Sequence, residues 1–251
     1  MDVYSIPLIF LASLLAVFIF SFLKLTVNLR YKKHIYDFKF KSYLIQLEQG
    51  FNYLIVQLAS QGLNWITLIF TSYFIGEVDT GGLNIIIRMA VLCSFFKTVI
   101  NAIKGPDYAY LYHANEMKKL NGEIRYNTKL LVYVALPFLA VLFAFPGFFL
   151  GLFSNEYDHL ILVFRIVLIS TVIDNLFGSV GLLMQMTKEE KRFKNLMLIS
   201  VGIHLFLGFA LTYYYRVQGL AISLLISAMF WNIYSAVILK REHKLKSYFS
   251  F

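Results

Sequence analysis

Residues 42–75 read SYLIQLEQGFNYLIVQLASQGLNWITLIFTSYFI. At 100° per residue, Gln46, Gln49, Tyr53, Gln57, Ser60, Gln61, Asn64, Thr67 and Thr71 fall within about 60° of one line. The rest of the helix surface is mostly apolar. Thirty-four residues rising 1.5 Å each give roughly 50 Å, well beyond a hydrocarbon core of about 30 Å. Such a helix projects from a bilayer, tilts strongly or breaks near Gly62. Lipid cannot satisfy amides, so the stripe must face other helices or water. Interhelical hydrogen bonding is one reading. An unbroken stripe goes beyond the one or two polar residues such bonding needs, and favours the wall of a hydrated substrate cavity. Glu48 lies off the stripe, near one end.

The rest of the chain sets this helix in a membrane protein. Of 251 residues, 59% are hydrophobic, 18% aromatic and 15% charged, and the mean hydropathy is +0.68. Soluble domains run nearer a quarter charged. Too few charges are present to cover a soluble core of this size, which excludes disorder, a disulfide scaffold and a typical soluble enzyme. The lone cysteine, Cys93, lies in an apolar run and reads as a small buried hydrophobe. Seven stretches approach the length of about 20 apolar residues that a crossing needs. They are residues 3–23, 42–75, 83–112, 130–153, 159–183, 196–215 and 219–239. Residues 3–23 lack the basic start and the cleavage site of a signal peptide.

Lysines and arginines divide sharply between alternate connections. The 24–41 linker, the 113–129 and 184–195 loops and the 240–251 tail hold eighteen, whereas the 76–82, 154–158 and 216–218 loops hold only Arg216. The excess of basic residues marks the cytoplasmic side, so the C-terminus is expected inside and the N-terminus outside. The net charge of +9 is then a topology label and an attraction to anionic membrane lipids rather than a sign of nucleic acid.

The four remaining basic residues lie in the apolar stretches: Arg88, Lys97, Lys104 and Arg165. Asn84 and Arg88 share one face of the third stretch, and Lys97, Asn101 and Lys104 another. Lys104 precedes Gly105-Pro106, where the span is expected to kink or end, and snorkels. Arg88 reaches either outer headgroups or an anion within the bundle. Asp174, the most central carboxylate, is nine residues from Arg165 and so on the opposite face. It is either paired with a cation from another helix or protonated in a way that suits ion coupling. His204 reads as a hydrogen-bonded packing residue. The last stretch lacks the mid-helix lysine of a retinal protein. No metal-ligand spacing, phosphate loop or nucleophile–base pair is evident, so neither an enzyme nor a cofactor is expected.

The order of these features resembles the second lobe of the polysaccharide flippases, over residues 42–240. The polar helix runs into Gly76-Glu77-Val78-Asp79, then Thr80-Gly81-Gly82-Leu83-Asn84 and Ile87-Arg88-Met89-Ala90. This is similar to the family's short outer loop and its tyrosine/asparagine-x-x-x-arginine pattern, with Leu83 in the aromatic place. Residues 102–112, with Pro106 and Tyr110-Leu111-Tyr112, and the charged stretch 116–120 resemble its proline segment and basic loop. Residues 182–186 with Thr187-Lys188-Glu189 resemble its threonine-glycine-basic turn, with Lys188 in place of glycine. Val217-Gln218-Gly219-Leu220-Ala221-Ile222 resembles its glycine-x-x-glycine-alanine helix start, with Arg216 in place of the first glycine and Leu220 in place of the alanine.

The resemblance implies an all-α, polytopic transmembrane bundle of seven helices, one lobe plus one helix of a two-lobed flippase. Residues 1–23 would be the last helix of an amino-terminal lobe, 24–41 a basic cytoplasmic linker, 42–239 a six-helix lobe and 240–251 a basic tail. The amino-terminal lobe would be a separate chain, or lost to truncation. The implied activity is translocation of undecaprenyl-diphosphate-linked oligosaccharide across a bacterial cytoplasmic (inner) membrane for surface polysaccharide such as O-antigen, beside polymerase machinery. Gln46, Gln49, Tyr53, Gln57, Gln61, Asn64 and Asn84 would line the substrate cavity. Arg88, Lys97 and Arg165 would attract the diphosphate, and Asp174 would couple an ion. An ion-coupled drug exporter of the same superfamily and a non-transporting assembly partner are the alternatives.

Overall fold

The computed structural model describes the backbone of residues 5–31 and 40–249 and the side chains of 11–24 and 47–249. The described residues are helical, with no strand among them. The chain divides into a short unit, Met1–Ile45, and a large one, Gln46–Phe251. The first holds helix α1, Ser5–Tyr31, whose described side chains are all solvent-exposed hydrophobics apart from a few small or polar residues.

Helix α2 (Phe40–Phe74), most of which lies in the large unit, continues through Gly62 without a break. It turns at Gly76 into α3, Glu77–His113. Glu77 and Asp79 occupy the first turn of α3, where carboxylates oppose the exposed N–H groups favourably. The expected 76–82 loop therefore shrinks to a turn. Pro106 does not end α3, which continues for two further turns. Helix α4 spans Met117–Ala144 and is followed by the short α5, Pro146–Gly151. The expected fifth span, 159–183, is divided. A 3-10 turn over Asn155–Leu160 leads into α6 (Ile161–Leu176), and α7 (Val180–Met186) follows a break at Gly178, whose φ is +61°.

The last helix, α8, covers Glu190–His243 but is folded at Arg216 (φ 48°, ψ −131°). Contacts across the fold pair His204 with Ser223 and Glu189 with His243, so residues 190–215 and 217–243 form two antiparallel arms. Each arm is about 40 Å long at 1.5 Å per residue. The turn is tight: a Cβ on Gly219 would lie 2.4 Å from the Leu211 carbonyl oxygen.

Arg216 itself takes a backbone conformation suited to glycine, at a cost of about 1–3 kcal/mol. Arg216→Gly is therefore expected to raise the thermal midpoint of the purified chain. A lowered midpoint would mean that the guanidinium's contacts outweigh the strain.

Five helices among the described residues are long and apolar enough to cross a membrane: Leu47–Phe74, Glu77–His113, Met117–Ala144, Asn155–Leu176 and Glu190–His243. Their outer surfaces are apolar, as at Leu58, Trp65, Phe95, Ile103 and Phe206, each at least 60% exposed. A water-soluble protein does not leave such a belt uncovered. This is a multi-pass arrangement. Two apolar clusters form its interior. One gathers Leu83, Ile86, Leu150, Leu160 and Phe164 near the α2–α3 turn. The other gathers Tyr108, Leu120, Ile124, Met184, Phe193 and Leu239 near the opposite end.

The connections segregate by charge at the two ends of the bundle. At one end the α3–α4 turn, the α7–α8 turn and the tail meet. His243 bonds Glu189 (3.1 Å) and Tyr112 (3.2 Å), Arg192 pairs with Glu242 (3.2 Å), and Lys191 pairs with Glu48 (2.7 Å). The tail is strapped down there: Asn121 donates to the Lys244 carbonyl, Thr128 donates to that of Ser247, and the Phe249 amide donates to Leu176. At the other end the α2–α3 turn meets the 3-10 turn through Asp79 and His159 (2.5 Å).

Candidate functional site

Helix α2 explains how a polar stripe can exist in an apolar bundle. Its buried face is Asn52, Val56, Ala59, Leu63, Thr67 and Thr71, and its exposed apolar face carries Leu47, Phe51, Leu54, Leu58, Trp65 and Ile69. The polar stripe is centred about 75° from the buried face at 100° per residue, on its border. Helix packing buries Thr67 and Thr71 of the stripe, while Gln57, Ser60 and Asn64 form the edge of a cleft.

The cleft has two adjoining lobes of about 420 and 220 Å³ that share Ser60, Ser94, Asp174 and Trp231 in their linings. Gln57 from α2, Lys97 and Asn101 from α3, and Gln185 from α7 line the larger lobe. Asn64, Ser170 and Thr171 line the smaller one. Lys97 is the only basic residue in either lining and Asp174 the only acidic one.

These two residues meet. Lys97 Nζ lies 2.8 Å from Asp174 Oδ2 and 3.2 Å from the Asp174 main-chain oxygen, with side chains 13% and 24% exposed. The other carboxylate oxygen accepts from Asn232 Nδ2 at 3.3 Å. The ammonium also lies 6.0 Å from the centre of the Trp231 ring, within cation–π reach. Two half-buried charges in such a place are tolerable because each compensates the other. Polar bonds tie neighbouring elements to one another around the cleft. Ser179, in the α6–α7 break, donates to Asn101 Oδ1, and Tyr53 donates to the Gln185 carbonyl at 3.2 Å. Asn232 Oδ1, fully buried beside Asp174, has no hydrogen-bond partner among the described residues.

A second buried polar cluster supports the cleft from the side of the acidic turns. His204 is fully buried, with Thr67 Oγ1 2.9 Å from one ring nitrogen and Ser223 Oγ 2.9 Å from the other. A neutral imidazole has a single N–H. One hydroxyl therefore accepts from the ring, and the other shares its single proton between the bare ring nitrogen and a main-chain carbonyl, that of Leu63 for Thr67 or Leu220 for Ser223. This triad fixes α2 to both arms of α8, as packing rather than as a ligand site.

The residues singled out from the sequence fall into three groups. Gln57, Asn64, Lys97 and Asp174 come together in the cleft lining, with Tyr53 bonded to its rim. Gln49 and Asn84 are half-buried and outside that lining, Gln61 is exposed on the far edge of the stripe, and the Gln46 side chain lies outside the described residues. Arg88 and Arg165 do not reach the cleft. Arg88 is exposed about a third of a turn round α3 from the cleft-facing residues, and Arg165 lies over the Phe143 ring at 5.6 Å, on the face of α6 opposite Asp174. Lys104 pairs with Glu123 (3.2 Å) and Asp107 (3.6 Å).

Trp231, Asn232, Ser179 and Gln185 were not singled out. In sequence, Trp231 and Asn232 are two residues of an apolar span, and only the register of the second α8 arm against α6 brings them to Asp174.

No family profile, curated protein or solved structure matches the chain at a significant level. The functional reading therefore rests on the residues of the cleft.

Proposed function

We propose that this chain is one lobe of a flippase that moves undecaprenyl-diphosphate-linked oligosaccharide across a bacterial cytoplasmic membrane. The reading is carried by the cleft: amides, hydroxyls and a cation gathered among helices whose outer faces are apolar, beside apolar lining residues such as Leu63, Ile87, Val91 and Leu224. Amides and hydroxyls at Gln57, Ser60, Asn64, Ser94 and Asn101 match the hydrogen-bonding needs of sugars. Lys97 is the point charge that an anionic carrier head would meet, sharing it with Asp174. Such a site, at the middle of the membrane and beside interrupted helices, is the usual place for substrate in a transporter that rocks between two facings. The break at Gly178, next to Ser179 and its bond to Asn101, supplies the interruption.

The reading includes seven crossings. The two arms of α8 each exceed the length needed for one, and α1 supplies the seventh. It also places the lysine-rich end in the cytoplasm, where Lys118, Lys194, Lys240 and Arg241 would attract anionic lipids. The separate amino-terminal lobe, the polymerase partners and the ion-coupling role of Asp174 belong to the same proposal.

One observation favours a second reading, an organic-cation exporter. Asp174 and Trp231 already hold a cation between them, the chain's own Lys97. Binding to the chain in nanodiscs separates the two, with a polyprenyl diphosphate as one probe and a quaternary ammonium dye as the other. In cells that depend on this chain, Lys97→Ala and Gln57→Ala are each expected to lower surface glycan about tenfold or more, the effect of losing about 1.4 kcal/mol of substrate contact. Undiminished glycan in both variants overturns the assignment.

A further inference from the structure

A second polar cavity, of about 340 Å³, opens at the acidic-turn end of the bundle, away from Lys97. Asp79 of α3, His159 of the 3-10 turn, and Tyr214, Tyr215, Arg216 and Gln218 around the fold of α8 line it. Its volume falls in the range of small-molecule sites. Three features set it apart from ordinary interfacial surface. Arg216 holds a backbone conformation that glycine would adopt freely, so this position keeps a side chain against its local preference. Arg216 is also exposed and has no ion-pair partner among the described residues, whereas Asp79, the carboxylate in the same lining, is taken by His159. Finally, Tyr214 and Tyr215 are 76% and 56% exposed at the mouth. A belt of interfacial tyrosines accounts for the rings but not for a strained, unpaired arginine among them.

We propose that this cavity is a binding site for an acidic saccharide. The Arg216 fork fits a sugar carboxylate through two parallel hydrogen bonds. The Asp79–His159 pair and the Gln218 amide provide both donors and acceptors for adjacent hydroxyls. Tyr214 or Tyr215 provides a flat apolar surface for the C–H face of a sugar ring. Arg216 has no carboxylate partner among the described residues, because Asp79 is bonded to His159, and its free guanidinium favours an acidic sugar over a neutral one. The choice of a saccharide rests on the proposed function, in which this end faces the compartment that receives the glycan. The cavity itself requires no transport.

The test is calorimetric binding of lipid-free sugars to the full chain in nanodiscs, with trigalacturonate, maltotriose and inorganic phosphate as probes. Trigalacturonate is expected to bind at least about tenfold more tightly than maltotriose, the difference one charge-assisted contact provides, and phosphate is expected not to displace it. Arg216→Gly is expected to abolish that preference without lowering the thermal midpoint, so that loss of binding cannot be a folding failure. Gln218→Ala is expected to weaken both sugars together. Equal binding of the two sugars, displacement by phosphate, absence of any sugar binding, or an unchanged preference in Arg216→Gly each overturns the proposal. Lys97→Ala is expected to leave this binding intact. Loss of glycan export in that variant with sugar binding retained supports both sites, and export retained with sugar binding intact counts against the cleft alone.

Discussion

Asp174→Leu is expected to destabilise the folded chain by about 1–3 kcal/mol, less than the full cost of stranding one partner of a buried ion pair because the two side chains are 13% and 24% exposed. The mutation leaves the Lys97 ammonium with the Asp174 main-chain oxygen position and the Trp231 face as its only nearby compensation. Asn232 loses its carboxylate partner as well. The double replacement Lys97→Met with Asp174→Leu removes both charges and substitutes side chains of similar bulk, and should recover most of the loss. Thermal unfolding in detergent of the two single variants and the double variant measures this coupling. Glycan export, the activity proposed above, read on the same variants separates structure from function. The double variant is expected to fold and not to export, because the only cation of the cleft has gone. If the single variants are as stable as the parent chain, the pair is solvated and the cleft is not the half-buried site described.

Gly219→Ala is expected to cost about 3 kcal/mol or more, at the upper end of the overpacking range. The added Cβ would lie 2.4 Å from the Leu211 oxygen and 2.5 Å from its carbonyl carbon. Both are backbone atoms and cannot rotate away as a side chain could. The two arms of α8 would have to separate, and the His204–Ser223 bond and the seat of Asn232 against Asp174 depend on their approach. The expected result is a lowered thermal midpoint together with reduced glycan export. By contrast, Gly202→Ala, with open space around its Cβ, is expected to leave the midpoint nearly unchanged.

The parts of this architecture that depend on local periodicity were legible in the sequence, and those that depend on register were not. The α2 stripe could be read because a 3.6-residue period places Gln57, Ser60 and Asn64 on one line, whatever they face. Lys97 and Asn101 share a face of α3 for the same reason, and both line the cleft. The opposition of Arg165 and Asp174 follows from nine residues of separation, and the structure places them on opposite faces of α6. The fold at Arg216 was marked by a short connection between two apolar runs. Which cation Asp174 would meet was not legible, because it depends on how α3 packs against α6. The break at Gly178 was hidden because both sides of it are apolar, so one long hydrophobic run covers two helices. The depth of Arg88 left outer headgroups and an interior anion both open, because depth along a helix does not decide which way a side chain faces.

Entry of water and an anionic ligand into the interior of this bundle through the polar edge of α2 is tested by thiol accessibility. Cys93 is the only cysteine and is fully buried, so the parent chain provides a silent background. Single cysteines at Gln57, Ser94 and Asn101 probe the cleft, and one at Leu58 probes the apolar face of the same helix. The rate of reaction with a charged, membrane-impermeant thiol reagent is measured with and without a polyprenyl diphosphate. Fast labelling is expected at the three cleft positions, slow labelling at Leu58, and protection of Ser94→Cys by the diphosphate. Labelling of Ser94→Cys as slow as that of Leu58→Cys, or equally fast with the diphosphate present, would contradict that entry.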